Sequence, residues 1–284
     1  MEHQLWKRIV SLLATLDQRR SSFWKFSDRD IVAIYYWSIL HDRPVSWGLE
    51  ARNWPPHLSR RPLPSNTTMS RRLRSRSVRA LLDALEQRIL RPAPGGVFWI
   101  VDGKPLPIGG ASKDRQAGYG RSAGGMAKGY KLHAILNSRG EIATWRVTPM
   151  NKDERTMACR MLPRSGVGGY VIADSNYDSN RLHAVCDRLQ NLQLVTPRRA
   201  GAGLGHHRHA PGRLRSVALT ESPLPAFAND LLEGRDAIER SFGQLTSWGG
   251  GLGPLPAWVR THRRVTRWVQ AKLIIHRIRA AFRC

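Results

Sequence analysis

Two short apolar runs, VFWIVD at 97–102 and YVIAD at 170–174, each end in an aspartate. A run of four or five apolar residues bounded by turn-forming sequence reads as a strand buried on both faces. An acid at the C-terminal tip of such a strand lies where open sheets gather their ligands. It is either a helix cap or part of a site. Between the two runs, GYKLHAILN and EIATWRVTP alternate as paired strands do, joined through Asn137-Ser138-Arg139-Gly140, a hairpin turn. LQLVTP is a further apolar run, preceded by the helical SNRLHAVCDRLQN. Three strands followed by strand, helix and strand predict a mixed sheet covered by helices, an α/β fold.

The first ninety residues follow a helical period. Leu5, Ile9, Leu12, Leu13 and Leu16 recur at spacings that place them on one helix face. Ser27 and Asp30 form a capping pair opening DIVAIYYWSIL. RNWPPHLSRRPLP is a Pro-rich connection, after which Ser65 or Asn66 caps one helix through TTMSRRLRSRSVRALLDALEQRIL. Its Arg-rich first turns suit a major groove or a row of phosphates; a solvated helix packed on Leu81, Leu82 and Leu85 fits the spacing equally. Near the other end, 198–226 reads as a loop rich in Gly, Arg and His, LLEGRDAIERSFGQLTSW as a helix, and GGGLGPLP as a break. A final helix carries Trp268, Ala271, Ile275, Ile278 and Phe282 on one stripe. The expected division is a helical region over 1–94 and a sheet domain over 95–284, with a short loop insertion at about 198–230.

Charge narrows the partners. The chain of 284 residues carries a formal net charge of +25, too large an excess for solubility alone, and points to a polyanion. From Arg60 to Arg91 there are nine arginines against Asp83 and Glu86, and after Glu239 nine basic residues and no acid. No stretch reaches the ~20 apolar residues of a membrane span, and the N-terminus is too broken by charge for a signal peptide. Three widely spaced cysteines (Cys159, Cys186, Cys284) fit a reducing cytoplasm with inert thiols. Zinc is not expected, because His206, His207 and His209 lie in a loop without thiol partners.

The acids with chemical potential are Asp102, Asp174 and Glu239, the last in mid-helix within RDAIERSF. Three carboxylates suit Mg²⁺ (or Mn²⁺), a hard ion taking oxygen ligands. Two such ions ~4 Å apart activate an attacking oxygen and stabilise the leaving one in phosphodiester chemistry. Each acid also has a local explanation: Asp174 caps the helix after it, Asp102 starts a turn with Gly103, and Glu239 pairs with Arg235.

The chain from about 97 to 284 resembles the DDE transposases of bacterial insertion sequences, in the IS-four-type group. The residues that carry the resemblance are VDGK around Asp102, GRSAGG (120–125) followed by KLHAILNSRGE, RVTPMNKDE, ADSNYDS around Asp174, and GRDAIERSFGQL around Glu239. The resemblance implies an RNase H-like mixed sheet with flanking helices, preceded by a helical N-terminal DNA-binding region. It implies that Asp102, Asp174 and Glu239 hold two catalytic metal ions. The family's Y-x-x-R-x-x-x-E-x-x-x-x-x-x-K signature appears as Leu232, Arg235, Glu239 and Thr246, so its Tyr and Lys positions are changed. Those two positions contact DNA in the family, so end binding is expected to differ.

Other candidates serve binding. Arg71, Arg72, Arg74 and Arg76 are expected to contact DNA, and Arg235 with them. The Gly-rich GGASKDRQAGYGRSAGGMAKGYK lacks the order of a P-loop or a dinucleotide fingerprint. It reads as a mobile basic loop whose Lys113, Arg115, Arg121 and Lys128 reach phosphates. Trp248 stacks on an unpaired base or packs in the core. Tyr177 and Asp178 read as packing residues beside the second acid. The expected function is a Mg²⁺-dependent transposase that binds double-stranded DNA at its element's ends and at the target. It is expected to act as a homodimer on the DNA, in the cytoplasm with the nucleoid and apart from membranes. Other readings of the same sequence are a catalytically inactive, transposase-derived DNA-binding protein and an RNA-binding protein.

Overall fold

The computed structural model describes residues 1–16, 25–58, 62–92, 96–137, 139–189, 191–199, 201, 204, 209–221, 243, 245–246 and 251–281. They form two compact units, Met1–Leu90 together with Arg267–Cys284, and Arg91–Thr266.

The first unit is helical: α1 (Glu2–Leu16), α2 (Asp28–Leu40), α3 (Asn66–Arg72), α4 (Arg76–Leu90) and the part of α8 (His262–Ala281) from Arg267 on. Helix α1 buries Leu5, Trp6, Ile9 and Leu13. Ser27 caps α2 with a reciprocal bond to Asp30. The single helix expected after Ser65 is broken into α3 and α4 at residues 73–75. Ser75 causes the break: its hydroxyl donates to the Arg72 carbonyl at 2.7 Å and accepts from the Val78 amide at 3.3 Å, displacing the helical ladder. Arg72 is drawn inward there, 4% exposed, with Nη2 donating to Asp28 at 2.6 Å.

Helix α8 places Trp268, Ala271, Ile275 and Ile278 in the core as its stripe predicts, along with Val269, Leu273 and Ile274; Phe282 lies outside the described residues. The acids missing from its own sequence come from earlier in the chain. The Gln270 amide donates to Asp83 at 3.0 Å and Glu86 at 2.7 Å, and the buried Lys272 pairs with Asp42. Part of the C-terminal basic excess is therefore answered inside the fold.

The second unit is a six-stranded mixed sheet among the described residues: β1 (Phe98–Pro107), β2 (Gly118–Ser122), β3 (Gly125–Asn137), β4 (Ile142–Pro149), β5 (Gly169–Ile172) and β6 (Leu192–Val195). Strand β3 runs antiparallel to β1, β2 and β4, while β1, β5 and β6 are parallel. The path β4-β3-β1-β5-β6 is the RNase H-like arrangement. The β3–β4 turn forms where expected, with Gly140 at φ +73° and the Asn137 side chain accepting from the Glu141 amide. One face of the sheet packs Trp99, Val101, Val171 and Leu194 against Met157 and Met161 of α5 (Glu154–Ser165) and Leu182 of α6 (Asn180–Arg188).

Two elements depart from the sequence reading. Helix α5 fills a segment to which the sequence assigned no element. Helix α7 (Pro211–Glu221) lies inside the expected loop of 198–226. It buries Gly212, Arg213 and Ser216 in place of an apolar stripe, so no hydrophobic period marks it. The Gly-rich segment is likewise not a loop throughout, since β2 and the start of β3 pair within it. Asp114 fastens the rest: its carboxylate accepts from Tyr130 Oη at 2.8 Å and the Thr261 amide at 2.7 Å. No helix among the described residues is long and apolar enough to cross a membrane.

Candidate active site

Strands β1 and β5 pair in parallel with Phe98 opposite Tyr170, Trp99 opposite Val171 and Ile100 opposite Ile172. The offset is 170 − 98 = 72 residues. Two positions further on, at the same offset, come Asp102 within β1 and Asp174 just past the end of β5 (174 − 102 = 72). Strands so paired lie ~4.8 Å apart, so the pairing leads both segments to the same edge of the sheet. The Asp102 carboxylate accepts from the Gly103 amide at 2.7 Å. Asp174 caps the short 3-10 turn Ser175–Tyr177, accepting from the Asn176 amide at 2.9 Å and its side-chain amide at 3.2 Å. The capping role is real. It does not use up the group, since a carboxylate offers about four lone-pair sites.

Further charged groups close on these tips. Glu154, the first residue of α5, accepts from Lys131 Nζ at 2.6 Å and lies over Gly103. A Cβ at Gly103 would stand 2.9 Å from Glu154 Oε1, so the missing side chain lets the carboxylate approach β1 there, on the strand face opposite Asp102. The Tyr177 hydroxyl is buried and has no hydrogen-bond partner among the described residues. Burial pushes that phenol well above its ordinary range, and the negative charges of Glu154, Asp102 and Asp174 push it further. With Asp153 added, four carboxylates therefore bear on one hydroxyl. Lys104 shares a strand face with Asp102, and its ammonium donates to Thr246 Oγ1. Burial lowers the Lys104 pKa, with the Asp102 charge opposing the shift.

The segment after Asp174 is held by a buried ion pair. Arg213 Nε and Nη2 donate to the Asp178 carboxylate at 2.8 and 2.9 Å, and the Arg199 amide adds a third bond at 3.2 Å. Burial would raise the Asp178 pKa; the bonds from Arg213 and Arg199 outweigh it and hold the carboxyl below its usual range. His183 lies 3.5 Å from the same carboxylate, and burial depresses its pKa to about 4 against that attraction.

Of the residues singled out in the sequence, Asp102 and Asp174 follow the paired stretch of β1 and β5 at a common offset, and both charges act on the Tyr177 hydroxyl. Glu239, Arg235 and Trp248, with Leu232, lie outside the described residues. Lys113, Arg115 and Arg121 are exposed, while Lys128 donates to the Ser112 carbonyl at 2.9 Å. Arg71, Arg74 and Arg76 are exposed, whereas Arg72 is turned into the fold. Among the described residues no group of three or more His, Cys, Asp or Glu side chains is placed to hold a metal ion. The donors that are described, two carboxylates on adjacent strand tips, have the hard oxygen chemistry that Mg²⁺ or Mn²⁺ takes. Lys104 and Glu154 escaped the sequence reading as site residues. Lys104 was signalled by its place two positions after Asp102; no spacing rule links Glu154 to it.

The family model described as "Transposase DDE domain" matches residues 94–274. A search of curated proteins finds no match. Among solved structures, the chain is similar to one in the simian T-cell lymphotropic virus intasome in complex with the PP2A regulatory subunit B56 gamma. There the identity is 12% and the TM-score 0.29, over 72% of this chain and 58% of that one. It is similar also to the piggyBac transposase in a synaptic complex with hairpin DNA, at 11% identity and TM-score 0.37, over 70% of this chain and 49% of that one. The chain thus spans about half the length of the solved chains it matches.

Proposed function

The chain belongs to the transposase DDE-domain family, and from that premise we propose that it binds the ends of an insertion sequence and cuts and rejoins DNA there. Asp102, Asp174 and Glu239 are the proposed ligands of two divalent ions, Mg²⁺ or Mn²⁺. Bound there, the ions supply an activated attacking oxygen and charge stabilisation at the scissile phosphate. The protein's own part in this reading is placement: Asp102 and Asp174 follow the β1–β5 pairing at a common offset, and Lys131 is paired with Glu154. Lys104 holds a cation at the strand tip for the incoming phosphate. It also touches Thr246, so the cation that the family signature carries at position 246 is here brought from β1. Such a site releases a 3′-hydroxyl that attacks target DNA directly, without ATP or a covalent enzyme intermediate.

The N-terminal unit is the proposed reader of the element's ends, through Arg71, Arg74 and Arg76, with the protein acting as a homodimer on DNA in the cytoplasm. Arg72, paired with Asp28, serves the fold. The observation that carries the reading is the common offset of the β1–β5 pairing and the two aspartates. Its test is nicking of a supercoiled plasmid carrying the inverted repeats that flank the gene. Nicks with Mg²⁺ that EDTA abolishes support it. Binding without nicking under every divalent ion favours the second reading, an inactive DNA-binding relative, for which Leu232 and Thr246 at altered signature positions speak.

A further inference from the structure

Strand β2 and the first residues of β3 form a two-stranded ribbon in which Tyr119 pairs with Lys128, Gly120 with Ala127, Arg121 with Met126 and Ser122 with Gly125. Side chains of a strand alternate between faces, and directly paired residues share one. One face of the ribbon therefore carries only Gly118, Gly120, Ser122, Gly125, Ala127 and Gly129. That face lies against the fold: a Cβ on Gly118 would meet Asn151 Oδ1 at 2.4 Å, and on Gly120 the Met150 carbonyl at 2.7 Å. The other face carries Tyr119, Arg121, Met126 and Lys128. Tyr119 is 62% and Met126 69% exposed, among the few large apolar side chains so open to water in the described chain.

Two large apolar side chains on one open ribbon face offer a surface for contact. The charge around it identifies the kind of partner. Lys128 stands over the Tyr119 ring at 6.0 Å from its centroid and bonds the Ser112 carbonyl, next to the exposed Lys113. Arg115 and Arg121 are exposed as well. The one acid between Asp102 and Glu141, Asp114, has its carboxylate bonded to Tyr130 and two backbone amides. Within 103–140, therefore, no further acid is present to balance the ribbon's outer face. A two-stranded ribbon also has the width that a DNA major groove admits.

We propose that this face enters the major groove of DNA, with Arg121 on phosphate or guanine and Tyr119 and Met126 on the apolar edges of bases. Within the groove the apolar target is the C5-methyl group of thymine, the one hydrocarbon that base pairs present there. The inference deepens the DNA-binding reading and rests on it. It gives the Gly-rich segment a rigid, directed contact surface.

The experiment uses the full chain and duplexes of about 30 base pairs, one with thymine and one with uracil throughout, across NaCl from about 50 to about 200 mM. Tyr119→Ala/Met126→Ala is expected to lower affinity for the thymine duplex about tenfold while leaving the salt slope unchanged. It is also expected to abolish the wild type's preference for thymine over uracil. Arg121→Ala is expected to reduce the slope by about one. All three side chains are exposed, so melting curves should match the wild type. If the wild type binds while both variants bind as it does, the ribbon assignment is overturned and DNA binding stands. If the variants lose self-association and keep DNA affinity, the face belongs to a second copy and the assignment again falls. A wild type that binds neither duplex overturns the DNA reading, and this inference with it.

Discussion

Replacing Asp178 by alanine strips Arg213 of its counter-charge at a place water does not reach. The two side chains are 2% and 8% exposed, and the pair is bidentate at 2.8 and 2.9 Å. Breaking such a pair from one side leaves an uncompensated buried charge and costs about 3–5 kcal/mol. For a domain of this size, each kcal/mol moves Tm by roughly 2–4 °C, so the loss should be on the order of 10 °C. The stranded cation, rather than the missing contact, is the cause. Removing both partners in Asp178→Ala/Arg213→Met should therefore recover at least half of the loss, because an apolar replacement of the whole pair is nearly neutral. Thermal melts followed by circular dichroism on the three proteins decide the matter. A single variant melting within about 2 °C of wild type, or a double variant as unstable as the single, refutes the reasoning.

Acid should unfold the protein early. His133 and His183, each 1% exposed, have pKa values depressed by burial to about 4. The unfolded chain takes up those protons near pH 6.5 and the folded chain only near 4, so stability is full above 6.5 and falls as pH drops between the two. At pH 5 the loss is about 2 kcal/mol per histidine, read as a fall in the urea midpoint from pH 7; a flat midpoint contradicts it. Lys104→Met should slow cleavage by at least tenfold at saturating DNA with Mg²⁺ affinity unchanged, and an unaltered rate removes the cation from the site. Alanine at Arg71, Arg74 and Arg76 together should weaken DNA binding and lower its salt slope by up to about three, whereas Arg72→Ala should lower Tm; equal effects on both readouts merge the roles that burial separates.

The legible parts of this fold are those in which local pattern and tertiary role coincide. Short apolar runs marked β1, β5 and β6, and Gly140 marked the β3–β4 turn, because a buried strand and a tight turn each demand particular residue types. Asp102 and Asp174 stood out as acids ending apolar runs, and their separation of 72 residues is also the strand register. Helix α7 was hidden because it docks through Arg213 and Ser216, which pair with Asp178 and with the Thr196 backbone. The break at Ser75 depends on one hydroxyl outcompeting a helical bond in a stretch whose propensities favour a continuous helix. The C-terminal charge was legible as a count but not as a field, since Asp42, Asp83 and Glu86 reach α8 from more than 180 residues away in sequence. Glu154 met Gly103 only through the docking of α5 on β1.

The central claim is that Asp102, Asp174 and Glu239 act as one metal-dependent cutting centre, separable from DNA binding. Its most direct test compares the wild type with Asp102→Asn, Asp174→Asn and Glu239→Gln, measuring Mg²⁺-dependent cleavage of end-bearing DNA alongside DNA affinity in EDTA. These near-isosteric changes remove a charge and leave the basic surfaces intact. The account predicts that each variant loses cleavage by about a thousandfold or more while affinity stays within about twofold. Cleavage within tenfold of wild type in any of the three, or a parallel fall in affinity, contradicts it.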